Sequence, residues 1–326
     1  WPIGKNLRCG RKDLVKLTTL FPPEGRLLHT EENQALCATK TGLIRAMEGR
    51  RVLEGKAVLC DAGHNLTVSL GPFTGYIPRE EAALGIAEGT TREIAILSRV
   101  GKPVSFTVEA VEQEEGLFRP RLSRRAAQAM ALERLMDTLE PGMVLPATVS
   151  HLEPFGGFVD IGCGVPSMIS IERISVSRIP HPDRRFAVGQ EIFAVVLETC
   201  PELGRVILSH RELLGTWREN AARFSAGMTV PGYVRGVKDY GVFVELSPNL
   251  SGLAEPRGDL REGDRVSVYI KTIFPDRMKI KLLVIEKLPP EGPQPLTYFL
   301  PPSGRLDRWR YAPAGCCKAG TETVFR

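Results

Sequence analysis

The chain has 326 residues, 43% hydrophobic and 25% charged, with a formal net charge of +5. That is length for two or three ordinary domains, with a mildly basic balance that permits an anionic partner without demanding one. No stretch reaches the roughly 18 uninterrupted apolar residues of a membrane helix, and residues 1–17 carry basic groups but no apolar core, so neither a membrane span nor a secretory signal is read.

The chain opens on Trp1 rather than Met, as a fragment of a longer protein would. Its seven cysteines (Cys9, Cys37, Cys60, Cys163, Cys200, Cys316, Cys317) are scattered, form no C-x-x-C pair and have no His at zinc-ligand spacing. Reduced thiols in a cytoplasmic protein, with no metal and no other cofactor, are expected.

In chain order, residues 1–50 carry nine Lys+Arg against five Asp+Glu and read as a leader. From residue 51 the chain repeats. FGGFVDIG (155–162) returns as YGVFVELS (240–247), 85 positions on, with Gly142-Met143 matching Gly227-Met228 and Val149 matching Val234. The offset then falls to 74, with Gly189 matching Gly263 and Leu208 matching Leu282, as a loop deletion produces. A degenerate third copy lies upstream at an offset near 92, where EGKAVLCDAGHNLTVSL (54–70) aligns with the strands around Val149 and Phe158.

Each copy alternates apolar and polar residues over short segments bounded by Gly, Pro or Asp, the signal for half-buried strands. Strands are expected near 143–152, 156–161, 165–170, 190–199 and 204–209, and again near 229–238, 241–246, 251–255, 265–274 and 278–285. Five short strands with an open interval between the third and fourth suit an OB-type Greek-key barrel. Helical 3–4 spacing covers 123–139 and 209–224. The fold class is therefore mainly β: three tandem five-stranded OB-type barrels joined by short helical linkers. The plan is a leader (1–50), a degenerate barrel (51–125), a linker helix (126–140), a barrel (141–211), a second linker helix (212–226), a barrel (227–287) and a Pro/Gly-rich tail (288–326). The tail is read as mostly extended or disordered, with its TYF and RWRY clusters available to dock on a barrel.

An OB barrel offers its second and third strands to single-stranded nucleic acid, whose bases stack on aromatic rings at about 1–3 kcal/mol each. Phe155 and Phe158 are three apart, so a strict strand would send them to opposite faces. If Phe155 sits in the turn and Gly156-Gly157 take unusual dihedrals, both rings share one surface, and Tyr240, Gly241 and Phe243 repeat the device. The alternative is that these rings are core, Phe being usually buried. Against it, each strand already supplies core candidates: Val149, Val159, Ile161, Ile192 and Val196, then Val234, Val244, Leu246, Val266 and Ile270.

The pattern G-x-V-x-x-V-x-x-[FY]-G-x-F-V-x-[IL], with a later basic-x-[IV]-x-LS segment, resembles the S1 motif, the RNA-binding repeat of a bacterial small-subunit ribosomal protein. The segment ISVSRIPHPDRRFAVGQEI (174–192) is especially similar to that family's repeats. The resemblance covers residues 50–287. It implies an RNA face of Phe155, Phe158 and Arg205 in one barrel and Tyr240, Phe243 and Lys279 in the next. The family's His on the third strand falls at Ser170 and Glu255, and its Asp at Cys200 and Phe274, so both copies depart there. Lys238, Arg235, Lys271 and Lys281 would add phosphate contacts, and Glu255 would repel phosphate locally. In the first copy the ring positions become Gly63 and Leu66 and the His position Pro78, leaving Arg119 alone. The resemblance implies that this barrel docks protein; the plain alternative is a barrel that merely packs.

The five histidines (His29, His64, His151, His181, His210) lie in no catalytic motif, and no glycine-rich stretch opens a phosphate-binding helix. The expectation is a non-enzymatic, cytoplasmic RNA-binding protein. It would bind single-stranded RNA or mRNA, resembling a small-subunit ribosomal protein in translation, with the small ribosomal subunit as partner and no membrane or small-molecule substrate. An accessory or chaperone subunit in RNA degradation or maturation, and a protein-interaction scaffold, are the alternatives.

Overall fold

The computed structural model describes residues 11–114, 117–292, 295–300, 304–313, 315–316 and 321–326. The first ten residues, Pro301–Ser303 of the tail and Cys317 therefore lie outside the described residues, as does Cys9. The chain winds into three closed five-stranded barrels. Barrel 1 comprises β1 (Leu53–Cys60), β2 (Leu66–Ser69), β3 (Thr74–Ile77), β4 (Pro103–Glu114) and β5 (Leu117–Ser123). Barrel 2 comprises β6 (Val144–Glu153), β7 (Gly156–Asp160), β8 (Pro166–Ser170), β9 (Glu191–Cys200) and β10 (Arg205–Ser209). Barrel 3 comprises β11 (Thr229–Lys238), β12 (Gly241–Ser247), β13 (Leu250–Ala254), β14 (Arg265–Phe274) and β15 (Lys279–Lys287).

All three share one topology. The first strand pairs antiparallel with the second and the fourth, and the third closes against the fifth in parallel. One strand serving two sheets must bend, and each does so at a bulge in the same place: Ala57/Leu59, Val149/His151 and Val234/Gly236. Alternation then decides what fills the barrel. Val149, Val159, Ile161, Ile192 and Val196 are buried in barrel 2, and Val234, Val244, Leu246, Val266 and Ile270 in barrel 3, as expected from the sequence. Each barrel has its own apolar core.

The connectors do more than space the barrels. Helix α1 (Arg11–Leu20) sends Leu14 and Leu17 into the core of barrel 2. Helices α2 (Glu31–Cys37) and α3 (Lys40–Glu48) pack Leu36, Leu43 and Ala46 on barrel 1. The turn before α2 wraps the buried Glu54 carboxylate, which accepts from the amides of Gly25, Leu27 and Leu28. After α4 (Ile94–Leu97) in barrel 1, the long helix α5 (Arg124–Thr138) follows, its first turn capped by Ser123. Its Arg124 guanidinium meets the buried Glu24 carboxylate at 2.6 Å. Gln128 joins the first two barrels by accepting from Leu84 N and donating to Gly164 O.

The second connector departs from the expected helix over 209–224. Gly215 (φ 81°) breaks it into a 3-10 turn, Arg211–Leu214, and a short helix. A capping box between Thr216 and Glu219 starts that helix, which follows α6 (Ile171–Ile174) of barrel 2 and is α7 (Trp217–Ala221), the last α-helix among the described residues. The described residues of the tail also depart from the extended or disordered segment expected. Strands β16 (Arg308–Arg310) and β17 (Glu322–Val324) form a hairpin, and Trp309 and Phe325 are buried against Val144, Val195 and Leu213. The tail's Tyr298 hydroxyl lies 3.2 Å from Nε2 of the buried His210. The TYF and RWRY clusters thus do dock.

Barrels 2 and 3 are locked by a buried charge triad. Glu245 on β12 bonds Arg185 from the β8–β9 interval and, at 2.9 Å, Arg235 on β11. Nearby, the Asn249 side chain accepts from Val176 N and donates to the carbonyls of Arg211 and Gly215. Such a triad is costly to desolvate but costlier to break.

Candidate nucleic-acid interface

In barrel 2, Phe155 stands in the turn between β6 and β7, and Phe158 lies outward on β7. Phe155 is 56% exposed and Phe158 half-buried. Their ring centroids are 6.0 Å apart at an interplanar angle of 88°. In barrel 3, Tyr240 in the β11–β12 turn is 67% exposed, and its ring stands 6.1 Å from that of Phe243 at 90°. Two independent stretches of sequence therefore build one device: a wet ring set edge-on against a half-buried one. Neither pair is in the core.

Glycine makes the device possible by two routes, the expected dihedral freedom at Gly241 (φ 155°) and a close approach of backbones in both barrels. A Cβ on Gly156 would sit 2.5 Å from the carbonyl oxygen of Ile169, and one on Gly241 2.5 Å from that of Ala254. Only hydrogen at those positions lets the ring-bearing strand lie tight against its neighbour directly after the turn.

Strand register lays out the rest of each face. Across barrel 2 the outward row runs His151, Phe158, Met168, Ile207, Glu198. Across barrel 3 it runs Gly236, Phe243, Leu253, Lys281, Thr272. His151 lies 6.3 Å from Phe158 in a stacked arrangement, and its Nε2 is 2.7 Å from Glu153 Oε1. Barrel 2 thus has a third ring. Barrel 3 gains one as well: Phe274 is partly exposed, with Lys281 Nζ 5.8 Å from its centroid. The position where the S1 motif carries an acid is here a partly exposed ring. Arg205 pairs in register with Cys200, and Lys279 with Phe274, so the two basic residues of the fifth strands occupy equivalent places.

The cations sort into two sets. Lys238, Lys279, Lys281 and Arg205 are exposed and hold no ion pair with a described residue. Lys271 instead reaches Glu255 at 2.7 Å. Hydrogen bonding and attraction from that ammonium lower the Glu255 carboxyl below the usual range. The pairing reduces the repulsion expected of Glu255 and equally the reach of Lys271 toward phosphate. Arg235 is a correction, since it is spent on the buried Glu245 and faces no ligand surface. Ser170, on β8 opposite Gly156, is half-buried beside the Phe155 turn, whose carbonyl accepts from Ile171 N.

Barrel 1 differs from its sequence alignment by one residue. Its register runs Leu59, Thr67, Tyr76, Arg121, so Thr67, not the buried Leu66, occupies the place of Phe158. No ring pair stands there, although Tyr76 and Arg121 join Arg119 on that face, two residues the sequence comparison missed.

Among the described residues there is no cluster of three His, Cys, Asp or Glu side chains that could hold a metal ion, and no helix long and apolar enough to cross a membrane. The described cysteines are free.

Residues 138–211, which carry barrel 2, match the S1 RNA binding domain family. The chain is similar to small ribosomal subunit protein bS1 of Leuconostoc lactis, 31% identical over 242 residues covering 69% of this chain and 54% of that one. It is 30% identical to the bS1 homolog of Bacillus subtilis (strain 168), covering 68% and 59% of the two chains, and 27% identical to bS1 of Neisseria meningitidis serogroup B, covering 78% and 46%. The resemblance read from the sequence is borne out, and the chain spans about half the length of the curated relatives it matches.

Proposed function

We propose that the chain binds single-stranded RNA through the outer faces of barrels 2 and 3, in a role like that of the small-subunit ribosomal proteins it resembles. The observation that carries this is the twin ring pair, built twice in one geometry and left in solvent on both barrels. Phe155, Phe158, Tyr240 and Phe243 stack bases, while Arg205, Lys238, Lys279 and Lys281 contact phosphates. Lys271 contributes only when Glu255 releases it, and Ser170 offers a hydroxyl where the family has an imidazole. Every base has a π-face, so such a platform tolerates sequence. Two sites on one locked frame gain avidity without new contacts.

The role is one of holding rather than cutting RNA, in the cytoplasm. Barrel 1, without a ring pair at the place of those on barrels 2 and 3, serves docking or packing. Fluorescence titration of a single-stranded oligoribonucleotide against wild type and the Phe155→Ala/Tyr240→Ala variant tests the stacking, and equal affinity would end the proposal. Co-sedimentation with small ribosomal subunits tests the partner. A chain that stays in the supernatant while still binding RNA would favour the accessory-subunit alternative.

A further inference from the structure

The tail hairpin, α7 and the β14–β15 turn enclose a cleft of about 670 Å³ beside barrel 3. Its apolar lining includes Trp217, Phe224, Ile273 and Tyr311. Arg218 and Arg310 also line it, both exposed, and neither holds an ion pair with a described residue. The carboxylate in the lining is Asp276. The half-buried rings of Phe224 and Tyr311 beside two exposed guanidiniums, of which Arg310 also attracts the Glu322 carboxylate facing it across the hairpin, have the chemistry of a nucleotide site: ring surface for a base, planar forks for phosphate oxygens.

Its position says which nucleotide. Pro275 and Asp276 of the cleft wall directly follow Phe274, the third ring of barrel 3, over which Lys281 is poised. A strand crossing Phe243 and Phe274 needs only to continue past this turn to enter the cleft. We infer that the cleft between α7, the tail hairpin and the β14–β15 turn extends the RNA path of barrel 3, with Arg218 and Arg310 binding phosphates of the strand that leaves Phe274. The inference rests on reading barrel 3 as an RNA-binding module. It gives the tail hairpin a role in ligand binding besides its packing on barrel 2: the buried face of Trp309 holds the hairpin in place, while the neighbouring Arg310 is left exposed.

The test uses the full chain and two labelled single-stranded oligoribonucleotides, one of about 5 nucleotides that fills a single barrel face and one of about 15 that runs beyond it. Removing two phosphate contacts with Arg218→Gln/Arg310→Gln should reduce the slope of log affinity against log salt by about 1.4 for the long oligonucleotide. The short one should be unaffected. Ala222→Trp, which fills the cleft from an exposed lining position without altering charge, should also weaken only the long oligonucleotide. Unchanged binding of the long oligonucleotide by either variant overturns the inference, as does an equal loss for both lengths. Tyr240→Ala, run in parallel, separates the two levels. If it leaves both oligonucleotides bound as in wild type, the reading of barrel 3 fails; if it weakens both while the arginine variant changes nothing, only the cleft fails.

Discussion

Barrels 2 and 3 carry the same ring device on the same strands, yet their faces differ in charge. The outward row of barrel 2 ends in Ile207 and Glu198, where barrel 3 places Lys281 and Thr272. Barrel 2 adds His151 as its third ring, tied to Glu153, and barrel 3 adds Phe274 beneath Lys281. The scaffold and glycines fix where bases can stack, and the substituents around them set how strongly phosphate is held. By this account barrel 3 supplies most of the affinity and the steeper salt dependence, while barrel 2 grips through stacking with little help from charge.

The comparison depends on the two faces being held in one frame, so the largest expected effect is at the joint. Glu245→Ala leaves Arg185 and Arg235 buried without their carboxylate and should destabilise the chain by about 3–5 kcal/mol in urea unfolding. A loss below about 1 kcal/mol would mean the frame is held elsewhere.

The next effect is expected in acid and concerns barrel 2. Burial drives the His210 imidazole down to about 4, against the bond it makes to the Ile174 carbonyl. That carbonyl can only accept, so Nδ1 carries the proton and Nε2 is left to accept from the Tyr298 hydroxyl. Between about pH 6.5 and pH 4 the unfolded chain therefore binds a proton that the folded one refuses. Stability from this group is complete above that window and is lost as pH falls through it, by up to about 3 kcal/mol. The sequence of barrel 3 has no histidine. Unfolding of wild type and His210→Gln at pH 7 and pH 5 should show a smaller acid loss in the variant; parallel losses would refute the assignment.

Binding effects follow. Phe155→Ala and Tyr240→Ala should each cost about 1–3 kcal/mol of RNA affinity, with Tyr240 the larger, as read by titration at fixed salt. The smallest effects lie in the salt slopes. Lys279→Gln/Lys281→Gln should flatten the slope by about 1.4, and Arg205→Gln by about 0.7. Equal slopes for the two barrels would erase the distinction drawn between them.

Much of this was legible in the sequence because strands announce themselves by alternation. The inward residues from Val149 to Ile270 needed no tertiary information, and the ring pairs stood out because they recur. What was hidden depends on contacts between distant segments. A charged residue such as Glu245 reads as surface, and nothing local reveals that Arg185, 60 positions away, buries it. The one-residue misplacement of Leu66 comes from aligning a degenerate repeat through a bulge, which shifts inward to outward without a trace in composition. Gly215 sits within a helical pattern and had the helix-breaking chemistry in plain view. The tail's order comes from Trp309 and Phe325 finding barrel 2, which Pro-rich composition conceals.

The most direct test of the central claim is ultraviolet crosslinking of the full chain to a single-stranded oligoribonucleotide, with the attached residues mapped by mass spectrometry. Adducts concentrated at Tyr240, Phe243, Phe155 and Phe158, strongest on barrel 3, are the predicted result. Adducts confined to barrel 1 or to surfaces away from both ring pairs would contradict it.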